Sequence, residues 1–282
     1  MSFEVIPLSP LGAELRGLDL GSGLSEPDFQ ALRAAILERG LVLLRDQSLG
    51  DEDQIALGRR FGPLEVLSRS PDGDVDHMIV ISNVDADGRV FRDSDENMRS
   101  IAINEQWHTD SSFRETPATY SIFKAMVVPP EGGATEFVSL QSGWNALDAE
   151  TQRELEGLRA VHDYREAFRR AGSKAAYEGM GSELEFAQPM IRRHPETGKR
   201  GLFVSGHAVR VEGMEPAAGR ALIEKLLSVC TDEAGVYRHQ WKPADVMIWD
   251  NRSMLHRAQG FDERHPRVMH HVRVAGTEPV VS

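Results

Sequence analysis

Trp107-His108-Thr109-Asp110-Ser111-Ser112-Phe113 is the stretch from which the rest of the chain can be read. In an extended strand, side chains two apart share a face, so His108 and Asp110 would project together. One imidazole nitrogen and one carboxylate oxygen then offer a metal two adjacent ligands. A third must come from elsewhere. His256 is the candidate, 256 − 110 = 146 residues after Asp110 and just past the apolar run Val246-Met247-Ile248-Trp249. Two histidines and a carboxylate leave open positions on a metal, the arrangement of mononuclear iron(II) oxygenases. Zinc hydrolases also use this donor set, so the ligands alone do not fix the metal. An isolated His-x-Asp is often a surface pair. Here an aromatic residue precedes it, an apolar strand leads to His256, and an arginine-bearing strand follows.

That last strand is Arg267-Val268-Met269-His270-His271-Val272-Arg273-Val274. Alternation places Arg267, Met269, His271 and Arg273 on one face and Val268, His270, Val272 and Val274 on the other. The valine face belongs against the core, which turns the arginines toward a cavity. A buried arginine needs a partner, either a bound anion or an acidic side chain.

Working outward, Phe3 to Leu20 reads as two short strands about a Pro/Gly turn. A helix follows, capped by Ser25, with Phe29, Leu32, Ala35 and Ile36 at helical spacing and a stop at Gly40. Leu41 to Leu44 is short and apolar enough for a buried strand. A second helix turns Ile55, Leu57 and Phe61 inward and stops at Gly62. Beyond the polar stretch 91–106, strands dominate around the candidate ligands, interrupted by a helical hairpin at 142–158 and a helix at 216–232. Residues 166–187 have no clean period and read as a loop, a candidate active-site lid. No strand–helix–strand alternation is sustained. The expected fold is mainly β with helices (α+β), a double-stranded β-helix or cupin-like jelly roll decorated by helices, in one domain spanning 1–282.

Apolar residues make up 40% of the 282 and charged residues 27%, as expected of a folded, water-soluble chain. The net charge of −12 disfavours nucleic acid as a partner. A single cysteine, Cys230, rules out an intrachain disulfide or a cysteine-based zinc site, and it reads as core. No stretch approaches the ~20 apolar residues that cross a bilayer, so no membrane is expected and the cytoplasm is the expected location.

In order along the chain, Phe61-Gly-Pro-Leu-Glu65, Ile81-Ser-Asn-Val84, the Trp107–Phe113 stretch, Val127-Val-Pro-Pro-Glu-Gly-Gly-Ala-Thr-Glu-Phe137, Arg153-Glu-Leu-Glu-Gly-Leu158, His194-Pro-Glu-Thr-Gly-Lys-Arg-Gly-Leu-Phe-Val204 and Trp249-Asp-Asn-Arg-Ser-Met-Leu-His-Arg-Ala258 resemble the taurine dioxygenase/2,4-dichlorophenoxyacetate dioxygenase superfamily. The resemblance runs nearly end to end, and the phenoxyalkanoate-degrading branch looks the closer. It implies Fe(II), 2-oxoglutarate and O2 as cofactor and cosubstrates, with His108, Asp110 and His256 matching the iron ligands. Arg267 and Thr135 match the pair that holds the C5 carboxylate of 2-oxoglutarate. Relatives acting on taurine or 2,4-dichlorophenoxyacetate carry a second arginine four residues after the first. Here that position is His271, with an arginine two further on, as in dioxygenases that cleave (S)-phenoxypropionates. The resemblance therefore leaves three readings: His271 as substrate anchor, Arg273 as substrate anchor, or a substrate without a strong acid.

Asn104 and His207 fall in segments that line the pocket in relatives, and a structural hydrogen bond is an equal reading for each. Trp249, Asp250 and Asn251 are expected to orient His256. Arg192 and Arg193 read as a solvated pair. The implied reaction hydroxylates a small, anionic organic substrate, releasing succinate and carbon dioxide. An aryloxyalkanoate with ether cleavage is the leading case, and a sulfonate, an alkyl sulfate or another small acid the alternative. A metal-dependent hydrolase and a non-catalytic small-acid sensor are the competing classes. Relatives commonly form homo-oligomers.

Overall fold

The computed structural model describes residues 3–69, 75–85, 87–91, 102–170, 172 and 184–282. Chain order begins with strands β1 (Glu4–Pro7) and β2 (Ala13–Arg16), helix α1 (Glu26–Arg39), β3 (Leu41–Leu44) and helix α2 (Asp51–Phe61). Next come β4 (Ser68–Arg69), β5 (Val75–Asp76), β6 (Met78–Ser82), β7 (Tyr120–Val127) and β8 (Thr135–Ser139). After two short helices, Leu140–Asn145 and Ala149–Glu154, the chain forms β9 (Arg159–Asp163), a helix Tyr164–Arg170, β10 (Glu185–Pro189), β11 (Ile191–Arg193), β12 (Arg200–Leu202) and β13 (Ala208–Val211). A helix Pro216–Cys230 leads to β14 (Tyr237–His239), β15 (Val246–Asp250), β16 (Met254–Ala258) and β17 (Val268–Arg273).

The major sheet runs β1-β2-β3-β15-β7-β17-β6, antiparallel except between β2 and β3. It faces a three-stranded sheet, β14-β8-β16. The period of two along each strand explains the layers. Leu41, Leu43, Phe123, Ala125, Met247, Trp249 and Met269 point between the sheets and meet Phe137, Tyr237 and Met254 from the smaller one. Their neighbours Val42, Leu44, Ile122, Val246, Ile248, Val272 and Val274 point the other way, onto Phe29, Leu32, Ile36 and Leu57 of the two helices. A sheet covered on both faces needs apolar residues at consecutive positions, which is why Leu41 to Leu44 read as an unbroken run. The outer face of the smaller sheet, with Val138 and Leu255, packs on Trp144, Leu226 and Cys230. The result is the expected jelly roll between helical layers.

Helix α1 starts where Ser25 Oγ accepts from Asp28 N at 3.3 Å, and stops at Gly40, whose φ of 83° is left-handed. Helix α2 approaches β17 closely enough that a Cβ on Gly58 would sit 2.9 Å from both Leu64 and Val272. The His194–Val204 segment supplies the turn and the second strand of the β11–β12 hairpin, which pairs Ile191–Arg193 with Arg200–Leu202.

Two expectations change. Trp107–Asp110 is not a regular strand: His108 makes an isolated bridge to His256, and the chain then turns through Ser111 at φ 56°. In the 166–187 stretch, a helix runs through Arg170 and β10 occupies Glu185–Pro189, so its ends are ordered by Phe168 packing on Ile103 and by pairing with β9. The rest of the candidate lid, 171 and 173–183, and residues 92–101 of the polar stretch lie outside the described residues. Among the described residues no helix is long and apolar enough to cross a membrane.

Candidate active site

Backbone pairing brings the two histidines together across 256 − 108 = 148 residues: His108 N donates to His256 O at 2.9 Å, and His256 N donates to His108 O at 2.8 Å. Their rings stand 4.2 Å apart between centroids. Pairing of β16 with β8 sets His256 opposite Phe137, whose ring stacks on it at 5.9 Å, and the Trp249 ring lies 4.7 Å away. The turn at Ser111 returns Asp110 to the same point, so ligand atoms of His108, Asp110 and His256 all lie within 4.8 Å of one another. Convergence thus comes from a bridge and a turn rather than from strand alternation.

The donor set fits a metal. His108 gives its Nδ1 proton to Gln106 O at 2.7 Å, which leaves the Nε2 lone pair free. Burial lowers the His108 imidazole and pushes that of His256 well below its ordinary value, which favours the neutral form of both. Burial acts on Asp110 in the opposite sense, but His256, His271, Arg273 and His108 outweigh it and hold the carboxyl well below the usual range. Neutral imidazoles beside an ionised carboxylate are what a divalent cation requires.

A cavity of 780 Å³ opens from this triad. Thr135, at the start of β8, and Arg267, just before β17, line it. Arg267 is 5% exposed and has no carboxylate partner among the described residues. Among the described residues its guanidinium makes one hydrogen bond, a long donation to Gly133 O at 3.4 Å, and Phe261 stacks at 5.8 Å. Desolvation pushes this guanidinium down to about 10. A Cβ on Gly133 (φ 64°) would crowd Arg267 Nε at 3.2 Å, so glycine keeps the approach open. Thr135 Oγ1 accepts from Trp241 Nε1 at 2.8 Å, leaving its own proton to donate.

Arg273 differs from Arg267. Its Nε lies 2.9 Å from Glu65 Oε2, and its Nη1 lies 3.7 Å from Asp110 Oδ1. The acidic partner that spacing left open is therefore present for Arg273 and missing for Arg267. His271 also faces the cavity, with Nε2 3.7 Å from Asp110 Oδ2, and burial pushes it down to about 4. Asn104 sits on the wall in a short 3-10 turn. His207 is buried beside His108 at 5.5 Å between ring centroids, its Nδ1 3.2 Å from Ser112 Oγ.

The segment after β15 behaves otherwise than expected. Asn251 serves Asp110 rather than His256: its Oδ1 accepts from Trp249 Nε1 at 2.9 Å and from Asp110 N at 3.3 Å. Its Nδ2 donates to Ser121 Oγ at 2.8 Å, and Ser121 donates to Asp110 Oδ2 at 2.6 Å. Asp250 points elsewhere, to His194 Nε2 at 2.9 Å and Arg252 Nε at 2.8 Å. Arg192, expected in solvent, is 5% exposed, because hairpin pairing turns it onto Phe203 at 5.1 Å. Sequence reasoning did not give Glu65 or Ser121 a role. Glu65 stood in a quoted motif, yet nothing local marks it as the partner of an arginine 273 − 65 = 208 residues away.

Two histidines and a carboxylate at the mouth of a jelly roll, beside an unpaired buried cation, define a mononuclear metalloenzyme with open coordination positions. Sequence comparison is specific on this point. The chain belongs to the taurine catabolism dioxygenase TauD, TfdA family, whose model matches residues 4–274, and it is a dioxygenase. It is 36% identical to the (S)-phenoxypropionate/alpha-ketoglutarate-dioxygenase of Sphingobium herbicidovorans, over 98% of this chain and 96% of that one. The alpha-ketoglutarate-dependent 2,4-dichlorophenoxyacetate dioxygenase of Cupriavidus pinatubonensis is 37% identical, with 93% and 94% covered. Among solved structures, AAD-2 in complex with Mn(II) and N-oxalylglycine superposes with a TM-score of 0.90 at 32% identity, with both chains fully covered.

Proposed function

We propose that the protein is an Fe(II)- and 2-oxoglutarate-dependent dioxygenase of small organic acids, acting as one catalytic domain in the cytoplasm, with an aryloxyalkanoate-type acid as substrate. The carrying observation is Arg267, a buried guanidinium with no acidic partner among the described residues, on the wall of the cavity that holds the triad. A hydrolase has no use for such a cation there, and a simple sensor has no use for the triad.

His108, Asp110 and His256 would hold the iron. When bound, iron(II) with 2-oxoglutarate supplies oxygen activation coupled to decarboxylation, giving succinate, carbon dioxide and a hydroxylated substrate. The chain's own groups prepare the site for this chemistry. Arg267 would take the far carboxylate of 2-oxoglutarate in a forked pair, with the Thr135 hydroxyl as an added donor. Trp249, Phe137 and Phe123 keep water from the metal side.

Substrate would lie along Ile79, Ile81, Phe91 and Phe168, an apolar wall suited to an aryl ring. His271 and Arg273 border the same space. The Arg273 charge is offset by Glu65, which leaves the His271 Nε2, without a hydrogen-bond partner, as a free polar contact for the substrate's acid group. Hydroxylation at a carbon bearing an ether oxygen yields a hemiacetal, which collapses to a phenol and a carbonyl compound. A sulfonate or alkyl sulfate would run through the same chemistry but would leave the apolar wall unfilled.

The test is anaerobic addition of iron(II) and 2-oxoglutarate to metal-free protein, followed by visible spectroscopy and then by succinate release across aryloxyalkanoates, sulfonates and alkyl sulfates. A weak charge-transfer band, with substrate-stimulated succinate release greatest for aryloxyalkanoates, is expected. Absence of the band at saturating 2-oxoglutarate sinks the cofactor assignment. A band with preference for sulfonates sinks only the substrate assignment.

A further inference from the structure

A second cavity lies on the far side of β15, lined by the end of α1, the start of the Leu140–Asn145 helix, the β11–β12 hairpin and Arg252–Met254. It has a volume of 140 Å³ and shares no lining residue with the 780 Å³ active-site cavity. Organic-ligand sites commonly measure ~300–1,000 Å³, so this one suits an inorganic ion rather than an aryl acid.

Its charge runs against that of the chain. Arg39, Arg192, Lys199, Arg200 and Arg252 line it, against a single acid, Glu38, in a protein of net charge −12. Three of the five cations are committed. Arg252 bonds Asp250 and Glu196, Arg200 lies 3.3 Å from Glu156, and Arg39 Nη2 lies 3.0 Å from Glu38. The other two are not. Arg192 is 5% exposed, and its guanidinium makes no hydrogen bond or ion pair with any described residue. Its Nη1 is buried and unpartnered, and the guanidinium lies over the face of Phe203, within the fields of the Asp250 carboxylate and the Arg252 cation. The nearby carboxylate of Asp250 is already held by His194 and Arg252. Lys199 forms no ion pair with any described residue, and Arg39 Nε is buried without a partner.

An unpaired buried guanidinium is costly unless an anion meets it, and guanidinium forks match tetrahedral oxyanions well. We propose that this cavity is a second binding site, for a small oxyanion of the phosphate or sulfate type, held by Arg192 with Lys199 and Arg39. Hydroxyls of Ser142 and Thr197 on the same wall supply neutral donors.

The experiment is thermal unfolding of the full chain against inorganic phosphate, and separately sulfate, at ionic strength held constant with chloride. Wild type, Arg192→Met, Lys199→Gln and Arg267→Met are compared. Methionine keeps an apolar stem over Phe203, and Lys199 is exposed, so neither change demands repacking. A saturable rise in melting temperature is expected in wild type and in Arg267→Met, with the midpoint moved roughly tenfold or more by Arg192→Met and a few-fold by Lys199→Gln. The relative midpoints of phosphate and sulfate identify the preferred ion. The site is refuted by no saturable rise in wild type, or by midpoints unchanged in both cavity variants. Loss of the effect in Arg267→Met also refutes it, since the anion would then sit in the active site. If Arg192→Met does not fold, Lys199→Gln decides alone.

Discussion

Ser121 Oγ donates to Asp110 Oδ2 at 2.6 Å, so one oxygen of the candidate metal carboxylate is oriented by β7 before any cation arrives. Asn251 completes the support by donating to Ser121 and accepting from the Asp110 backbone. Ser121→Ala should leave the fold intact but lower iron(II) affinity about 10- to 100-fold, as loss of such supporting bonds commonly does. Metal titration of the purified variant reads this directly. An unchanged affinity would mean that the turn at Ser111 alone positions the carboxylate.

Arg267 presents the opposite relation, a cation with no acid among the described residues to meet it. Arg267→Met should therefore weaken 2-oxoglutarate binding by on the order of a hundredfold or more while iron(II) binding stays near wild type. Without 2-oxoglutarate the variant should melt no lower than wild type, because an unpaired buried charge has been removed. Arg267→Lys should restore little, since a lysine cannot make the forked pair. Equal loss of metal and cosubstrate affinity would point to a collapsed pocket instead.

What could be read from the sequence was local or periodic. Helix α1 announces both ends through Ser25 and Gly40, and β17 announces its two faces because Val268 and Val272 share one and His271 and Arg273 the other. His256 was legible because an apolar strand leads to it. Glu65, Ser121 and the reorientation of Asp250 were not legible, because each depends on which strands become neighbours. Arg192 shows the limit from the other side. Two adjacent arginines look solvated until hairpin pairing turns one of them onto Phe203.

Glu65 and Arg273 should behave as a unit. Each is largely buried, and removing one strands the other. Arg273→Gln and Glu65→Gln should each cost about 3 kcal/mol in denaturant unfolding, whereas the double variant should recover most of that loss. Additive losses would show that the two charges are satisfied separately, Arg273 by Asp110 and Glu65 by Arg114.

His162 gives the protein a pH-dependent stability apart from the metal ligands. It is fully buried between Ser205 and Phe203, and burial pushes its imidazole down to about 3. An unfolded histidine titrates near ~6.5, so between those values the unfolded chain binds the extra proton. The contribution is whole above ~6.5 and is lost as the pH falls toward the folded value, with a slope of ~1.4 kcal/mol per pH unit. Asp250, held low by His194 and Arg252 against the effect of burial, adds a second loss below about pH 4. Unfolding free energies from urea titrations at pH 7 and pH 5 should therefore converge by about 2 kcal/mol in His162→Gln relative to wild type. An identical pH dependence in the two proteins would place the acid sensitivity in the other buried histidines, chiefly His207 and His271, whose burial acts in the same direction.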